Sequence, residues 1–275
     1  MRLKAEIFEW VRSEVLEVVK GVPSSHGVPH LLKVAEIAGY LAKRLGFDPF
    51  IAAIAALVHD LRFWDEKERK IRKLNIPGEH TAGKTAAQIL AEVQEISEGL
   101  RDEILAVIAE HSRVPEKGKP APLLLQILRD ADRLSQLGYE GLLSILTANR
   151  FYGIPFYNEG DKIVWTPDEP LFRHEDIKSA INDCHDVLTW WQIMETVPGK
   201  LLFLAMSRVN VRFLELLASN ELYLADGYHF WIGWLEKILI MQAEKRREMA
   251  TTLLSAVEYE EIVLKLDGPL KGEEG

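Results

Sequence analysis

The side chains able to do chemistry concentrate in the first half of the chain. His30, His59, His80 and His111 are joined there by Asp60, directly after His59, and by Asp130 and Asp132. Imidazole and carboxylate together form a ligand set for a divalent transition ion such as manganese, iron, cobalt, nickel or zinc. A His-Asp doublet alone is weak support, and a second one occurs at His185-Asp186. The first is set apart by its position at the end of IAAIAALVHD, residues 51–60, where small and aliphatic residues lead into it. Such a run belongs in a core, and a carboxylate carried there needs a basic partner, hydrogen bonds or a metal ion to offset the loss of water. His185-Asp186 follows no such run, which predicts a solvated face.

The elements that must position these groups read as helices. Apolar residues at Ile7, Phe8, Val11, Val15, Val18 and Val19 have helical spacing, and Gly21 with Pro23 closes that segment. A second helix, roughly Pro29 to Leu45, puts Val34, Ile37, Leu41 and Leu45 on one face, with His30 on the same face in the first turn. Asp48-Pro49 supplies an N-cap and a first-turn proline for the helix that contains the apolar run. Between Leu61 and Gly78 the periodicity is lost, predicting a loop or a short exposed helix. A helix is expected from Glu79 to about Ile96, with His80 in its first turn. In the next, Leu100, Ile104, Val107 and Ile108 form a buried stripe that His111 continues. Leu123 to Leu137 is a nearly continuous apolar helix interrupted by Asp130 and Asp132, and periodicity does not choose between the two.

Residues 152–170 carry turn signals between aromatic and β-branched residues, which suggests a short β-hairpin around Asn158 to Asp161. Helical patterning returns over 175–265, with Trp190, Trp191, Phe203, Phe213, Leu217, Trp231 and Trp234 as large apolar anchors. The fold class is therefore all-α. Two regions are expected: a catalytic core over residues 1–145 and a mainly helical extension over 146–275 that packs on it, caps the cleft or forms a homo-oligomer interface.

Composition narrows the function classes. Cys184 is the only cysteine among 275 residues, so neither an internal disulfide nor a cysteine zinc site is available, which fits a reducing, cytoplasmic setting. No uncharged apolar run approaches the roughly 20 residues of a membrane span. A net charge of −9 argues against a general nucleic-acid binder.

The order of these groups resembles the HD-domain superfamily of metal-dependent phosphohydrolases, named for its His…His-Asp…Asp motif. The first histidine is similar to His30 in HGVPHLLKV, the doublet to His59-Asp60 in ALVHD, and the closing aspartate to Asp132 in RDADRL. His80 in GEHTAGKTAA and His111 in IAEHS resemble the two extra histidines of members that hold two metals. The resemblance spans about residues 26–140, with a weaker echo in TVPGKLLFLAMSRVNVRFLELL. Lys33 stands where many relatives carry arginine, and the Glu-Asp pair of the alarmone hydrolases is absent after the doublet.

The resemblance implies an HD-type helical core and a centre of one or two divalent ions. In the two-ion form Asp60 bridges, His30, His59 and Asp132 complete one site, and His80 and His111 hold the other. The implied reaction is cleavage of a phosphate ester or anhydride, with a nucleotide or similar phosphorylated small molecule as substrate and a metal-activated hydroxide as nucleophile. Lys84, one turn after His80, and Arg62, shortly after Asp60, are the candidates for holding phosphate. His26 is expected in a turn, and Arg133 as a support for its own helix. Two other classes compete: a di-iron oxygenase, since some relatives with the extra histidines activate oxygen, and a regulatory module with a degenerate site. The latter would lack a ligand, and none is missing here.

Overall fold

The computed structural model describes residues 4–19, 27–64, 85–116, 118–166, 170–171, 178–219 and 227–251. Helix α1 (Lys4–Val18) buries Ile7, Val11 and Val15 against α3 (Pro49–Val58). Helix α2 (Val28–Leu45) begins with a proline in its first turn and ends at Gly46, whose φ of 71° is the left-handed conformation that glycine adopts without strain. Phe47 N–H then donates to Ala42 O at 2.9 Å and Gly46 N–H to Lys43 O at 3.5 Å, the paired bonds of a Schellman stop. Asp48 accepts from Phe50 N–H and starts α3 at once, so α2 and α3 form a tight helical hairpin.

Helix α3 buries Ile51, Ile54, Leu57 and Val58, each contributing about 1.5–3 kcal/mol of transfer free energy before chain entropy is charged. Its last turn tightens into a 3-10 helix, His59–Trp64, which delivers His59 and Asp60 at the interior end of the hairpin. Next among the described residues are α4 (Ala86–Ala91) and α5 (Glu98–Glu110). The expected continuous helix from Glu79 to Ile96 does not form. Thr85 is extended at φ −74°, ψ 163°, and makes a capping box with Gln88, while the helix stops at Glu92. The threonine hydroxyl offers the backbone a local partner and so starts a new helix there.

Helix α6 (Leu123–Ser135) is central: it packs on α2, α3, α5, α7 (Gly138–Phe151) and α9 (Val197–Ser219). The connection to α7 is very short, and a Cβ on Gly141, in the first turn of α7, would overlap the Gln136 backbone, so only glycine fits there. Asn210 of α9 pins the same turn, accepting from Gly138 N–H at 2.9 Å. Helix α8 (Ala180–Thr189) and a 3-10 turn, Trp190–Ile193, lead into α9.

Among the described residues there is no strand. The expected hairpin is a turn alone: Asp161 N–H donates to Asn158 O, and the Asp161 carboxylate accepts from Asn158 N–H and Ser179 Oγ. These bonds turn the backbone toward its own side chains, leaving no ladder to build.

Residues Met1–Ile232 form one compact unit. Phe203, Phe213, Leu217 and Trp231 lie in its core, with the Phe213 and Trp231 rings edge to face at 4.8 Å. Trp190 and Trp191 are half-buried rather than core anchors, and the side chain of Trp234 lies outside the described residues. Residues Gly233–Gly275 form a second unit, of which the described part belongs to α10 (Gly227–Thr251). No helix among the described residues is long and apolar enough to cross a membrane.

Candidate metal centre

His30, His59, Asp60, His111 and Asp132 meet in one cluster, drawn from α2, the 3-10 turn after α3, the C-terminus of α5, and α6. His30 Nε2 lies 3.3 Å from Asp60 Oδ2 and 3.4 Å from Asp132 Oδ1. His59 Nε2 lies 3.4 Å from Asp60 Oδ2 and 3.7 Å from Asp132 Oδ1. His111 Nε2 approaches the other Asp60 oxygen, Oδ1, at 3.7 Å. The two oxygens of Asp60 therefore face different histidines. The histidine rings lie close together, tilted for His30 and His59 with centroids 5.4 Å apart and edge to face for His59 and His111 at 5.0 Å.

Each ring is held from its far side. His59 Nδ1 is 2.6 Å from Ala56 O and His111 Nδ1 is 2.7 Å from Ile108 O. A carbonyl only accepts, so both Nδ1 atoms carry the proton and both Nε2 atoms turn a lone pair inward when the rings are neutral. That is the tautomer of a metal-ligating histidine, oriented by an outer hydrogen bond. His59 Nε2 is buried and has no hydrogen-bond partner, an expensive arrangement in a protein interior. Two ligand groups, His30–His59–Asp60 and His59–His111–Asp132, each have donor atoms within 4.8 Å of one another. The cluster thus fits a cation in both donor chemistry and spacing.

Without a cation, two carboxylates must be compensated by protons. Burial on its own disfavours the His59 imidazolium, but Asp60 and Asp132 outweigh it and raise its pKa to about 9. Burial likewise disfavours the Asp132 carboxylate, yet the contact with His59 and the charges of His59 and His30 hold its pKa well below the usual range. His111 moves the other way, lowered by burial and by the neighbouring His59 charge. Asp132, 30% exposed, is the most open member of the cluster.

Asp130, which periodicity leaves level with Asp132, points elsewhere. Fully buried, it accepts from Glu195 N–H at 2.9 Å, Thr196 N–H at 2.8 Å and Thr196 Oγ at 2.7 Å, and so receives the N-terminus of α9. Arg133 stands 3.7 Å from it and donates to Ile193 O, while Arg129 reaches Glu195 and donates to Glu110 O, next to His111. A Cβ on Gly199 would overlap Asp130 Oδ2.

Asp130→Ala strands Arg133 and several donors in the interior, and is expected to lower unfolding free energy in urea by about 3–5 kcal/mol. Gly199→Ala is expected to cost about 1–3 kcal/mol by overpacking. Asp132→Ala in the same assay is expected to fall well short of Asp130→Ala, because its carboxylate is partly exposed and caps no helix.

The remaining expectations divide. His80, Lys84 and His26 lie outside the described residues. Arg62 falls in the 3-10 helix, but its side chain is outside the described set. His185-Asp186 is a correction: both residues are buried, not solvated. His185 Nε2 lies 3.3 Å from Val164 O, and the Trp190 indole donates to Asp186 at 3.1 Å. Burial and the neighbouring Asp183 push Asp186 up to about 7. The mixed composition of α8 conceals this, since nearly all its residues are covered by tertiary neighbours.

Arg129, Glu195 and Ser135 carry polar contacts at or near the cluster that sequence reasoning did not single out. Lys33 donates to Leu137 O at 2.9 Å and lies 3.6 Å from Glu140, tying α2 to the end of α6.

Residues 28–137 match the family model of the HD domain. No curated protein matches the sequence. Among solved structures, a Lactobacillus plantarum protein is 22% identical, with a TM-score of 0.56 over 78% of this chain and 96% of that one. YpgQ of Bacillus subtilis, crystallised in complex with ADP, is 20% identical, with a TM-score of 0.55 over 78% and 95%. An HD-superfamily hydrolase of Bacillus thuringiensis is 22% identical, with a TM-score of 0.54 over 78% and 97%. At such identities the likeness speaks for the fold, and it extends well beyond the segment covered by the family model. With the His30, His59-Asp60 and Asp132 motif assembled at one point on an all-helical frame, the chain carries an HD domain over residues 28–137.

Proposed function

We propose that this protein is a metal-dependent hydrolase that cleaves a phosphate ester or anhydride of a nucleotide or similar phosphorylated small molecule. The observation that carries the reading is the inward convergence of three imidazole Nε2 atoms on the two Asp60 oxygens, with His59 Nε2 left without a hydrogen-bond partner. His30, His59, Asp60, His111 and Asp132 would hold one or two divalent ions of manganese, iron, cobalt, nickel or zinc. When bound, such an ion acidifies water and neutralises charge on phosphoryl oxygens.

The chain's own groups supply the rest. Asp60, with its oxygens turned to different histidines, is suited to bridging a pair of ions. Ala56 O and Ile108 O keep His59 and His111 from rotating and prevent their Nε2 atoms from taking up the ring proton while neutral. The greater exposure of Asp132 favours entry of water and substrate on its side. His80 as a partner to His111, and Lys84 and Arg62 as phosphate contacts, remain part of the proposal on the family resemblance. A nucleotide substrate draws support from the ADP bound to one structural neighbour.

The test is metal analysis of the purified protein, followed by phosphate and pyrophosphate release from a panel of nucleotides with added Mn²⁺ or Co²⁺. Metal-stimulated release is the expected result. Oxygen consumption without any release would replace the hydrolase by an oxygenase, and failure to retain or respond to metal would leave a regulatory module.

A further inference from the structure

Of the three inward histidines, His111 stands at the least secure place in the fold. It is the residue at which α5 ends, where helix carbonyls run out of intrahelical donors. Ser112, Arg113 and Val114 behind it are exposed. His30 and His59, by contrast, sit in the first turn of α2 and at the buried end of α3. The last turn of α5 closes locally, with Arg113 N–H donating to Glu110 O at 3.1 Å. The same oxygen accepts from Arg129 Nη2 at 3.0 Å, which ties the turn to α6. A cation at the carbonyl end of a helix also meets the negative pole of its dipole.

We propose that Arg129 is a positioning residue for the metal centre: its guanidinium, neutralised by Glu195, holds the C-terminal end of α5 and thereby keeps His111 beside Asp60. The inference rests on the metal-centre reading above. Arg129 is buried, and its other Nη reaches Glu195 Oε1 at 3.4 Å, so one planar fork spans α5 and the segment before α9. The ion pair itself adds little to stability: it is long, and Arg129 Nε is buried with no hydrogen bond among the described residues. What such a group specifies is a position. Glu195 is fixed in turn by Asp130, which accepts from its N–H at 2.9 Å. A residue outside the HD segment of 28–137 thus sets the place of a ligand inside it.

The full chain carries the test. In Arg129→Met an apolar side chain replaces the cation, and Glu195 keeps Arg133 as a counter-charge at 3.8 Å, so the fold survives. Calorimetric titration with Mn²⁺ is expected to show affinity weakened about 10–100-fold, the usual loss when a group that orients a ligand is removed. Arg129→Lys keeps a donor for Glu110 O and should recover part of that loss. Leu217→Ala is the control for destabilisation alone. It opens a core cavity about 30 Å along α9 from the start of that helix, and should lower the urea midpoint while leaving Mn²⁺ affinity at the wild-type value. Native-state hydrogen exchange of the metal-free protein reads the position directly. The amides of residues 108–111 should exchange about tenfold faster in Arg129→Met, and at the wild-type rate in Leu217→Ala.

Wild-type affinity or unchanged exchange at 108–111 in Arg129→Met would overturn the proposal. So would a lysine variant no better than the methionine one, or a loss of affinity in Leu217→Ala equal to that in Arg129→Met. Should the wild type bind no Mn²⁺ while residues 108–111 respond as expected, the functional reading falls, whereas the hold of Arg129 on α5 stands.

Discussion

Asp60→Ala is expected to eliminate tight metal binding and reduce phosphate release by at least about 10³-fold, a loss of several kcal/mol of charge stabilisation. The reason is geometric. One carboxylate serves His30 and His59 through Oδ2 and His111 through Oδ1. His59→Ala is expected to act nearly as strongly, because His59 belongs to both groups of potential ligands. Losses of this kind are not additive, so the double variant should be little worse than either single one. Far-UV circular dichroism should show helical content close to wild type in each, since the apolar face of α3 is intact. Turnover retained in both single variants would remove the basis of the hydrolase assignment.

Metal affinity is expected to rise about tenfold per pH unit between the ordinary histidine value near 6.5 and about 9, and to level off above. The ion and a proton compete for His59 Nε2. In metal-free protein the two carboxylates hold that proton, so each ion bound must release it. The linkage for folding has the opposite sign. A pKa raised in the folded state means stability fully present below the unfolded value near 6.5 and lost as pH rises through about 9. Asp132, lowered on folding, contributes stability above its unfolded value near 4 that is lost on acidification. Metal-free protein should therefore be most stable at mildly acidic pH, while added Mn²⁺ moves the optimum upward. Thermal melts across pH, with chelator and with Mn²⁺, check both signs, and titration calorimetry in buffers of different ionisation enthalpy counts the released proton. A pH-independent affinity would show that His59 carries no proton to displace.

Between these groups, the role of α6 shows where tertiary contacts had to decide. Asp130 and Asp132 lie on the same apolar helix, and helical spacing gives each a claim to the interior. What separates them is which neighbour each meets: the N-terminus of α9 for Asp130, and His30 with His59 for Asp132. Ser135, one turn beyond Asp132, looks like an ordinary helix-end serine until α2 is laid against it. His185 and Asp186 read as surface residues because α8 is mixed in composition, although the packed helix leaves almost no face exposed.

By itself, the order of residues established what local physics encodes. The helix starts at Asp48-Pro49, the stop at Gly46, the apolar run into His59-Asp60, and the inward faces of His30 and His111 all follow from capping chemistry and a period close to four. These act over a few residues and need no partner. Tertiary structure alone decided which carboxylate joins the histidines, which oxygen of Asp60 meets which ring, and where the ring protons reside. Those outcomes depend on distances of a few ångströms between helices far apart in the chain, and such distances are set by packing rather than by local spacing.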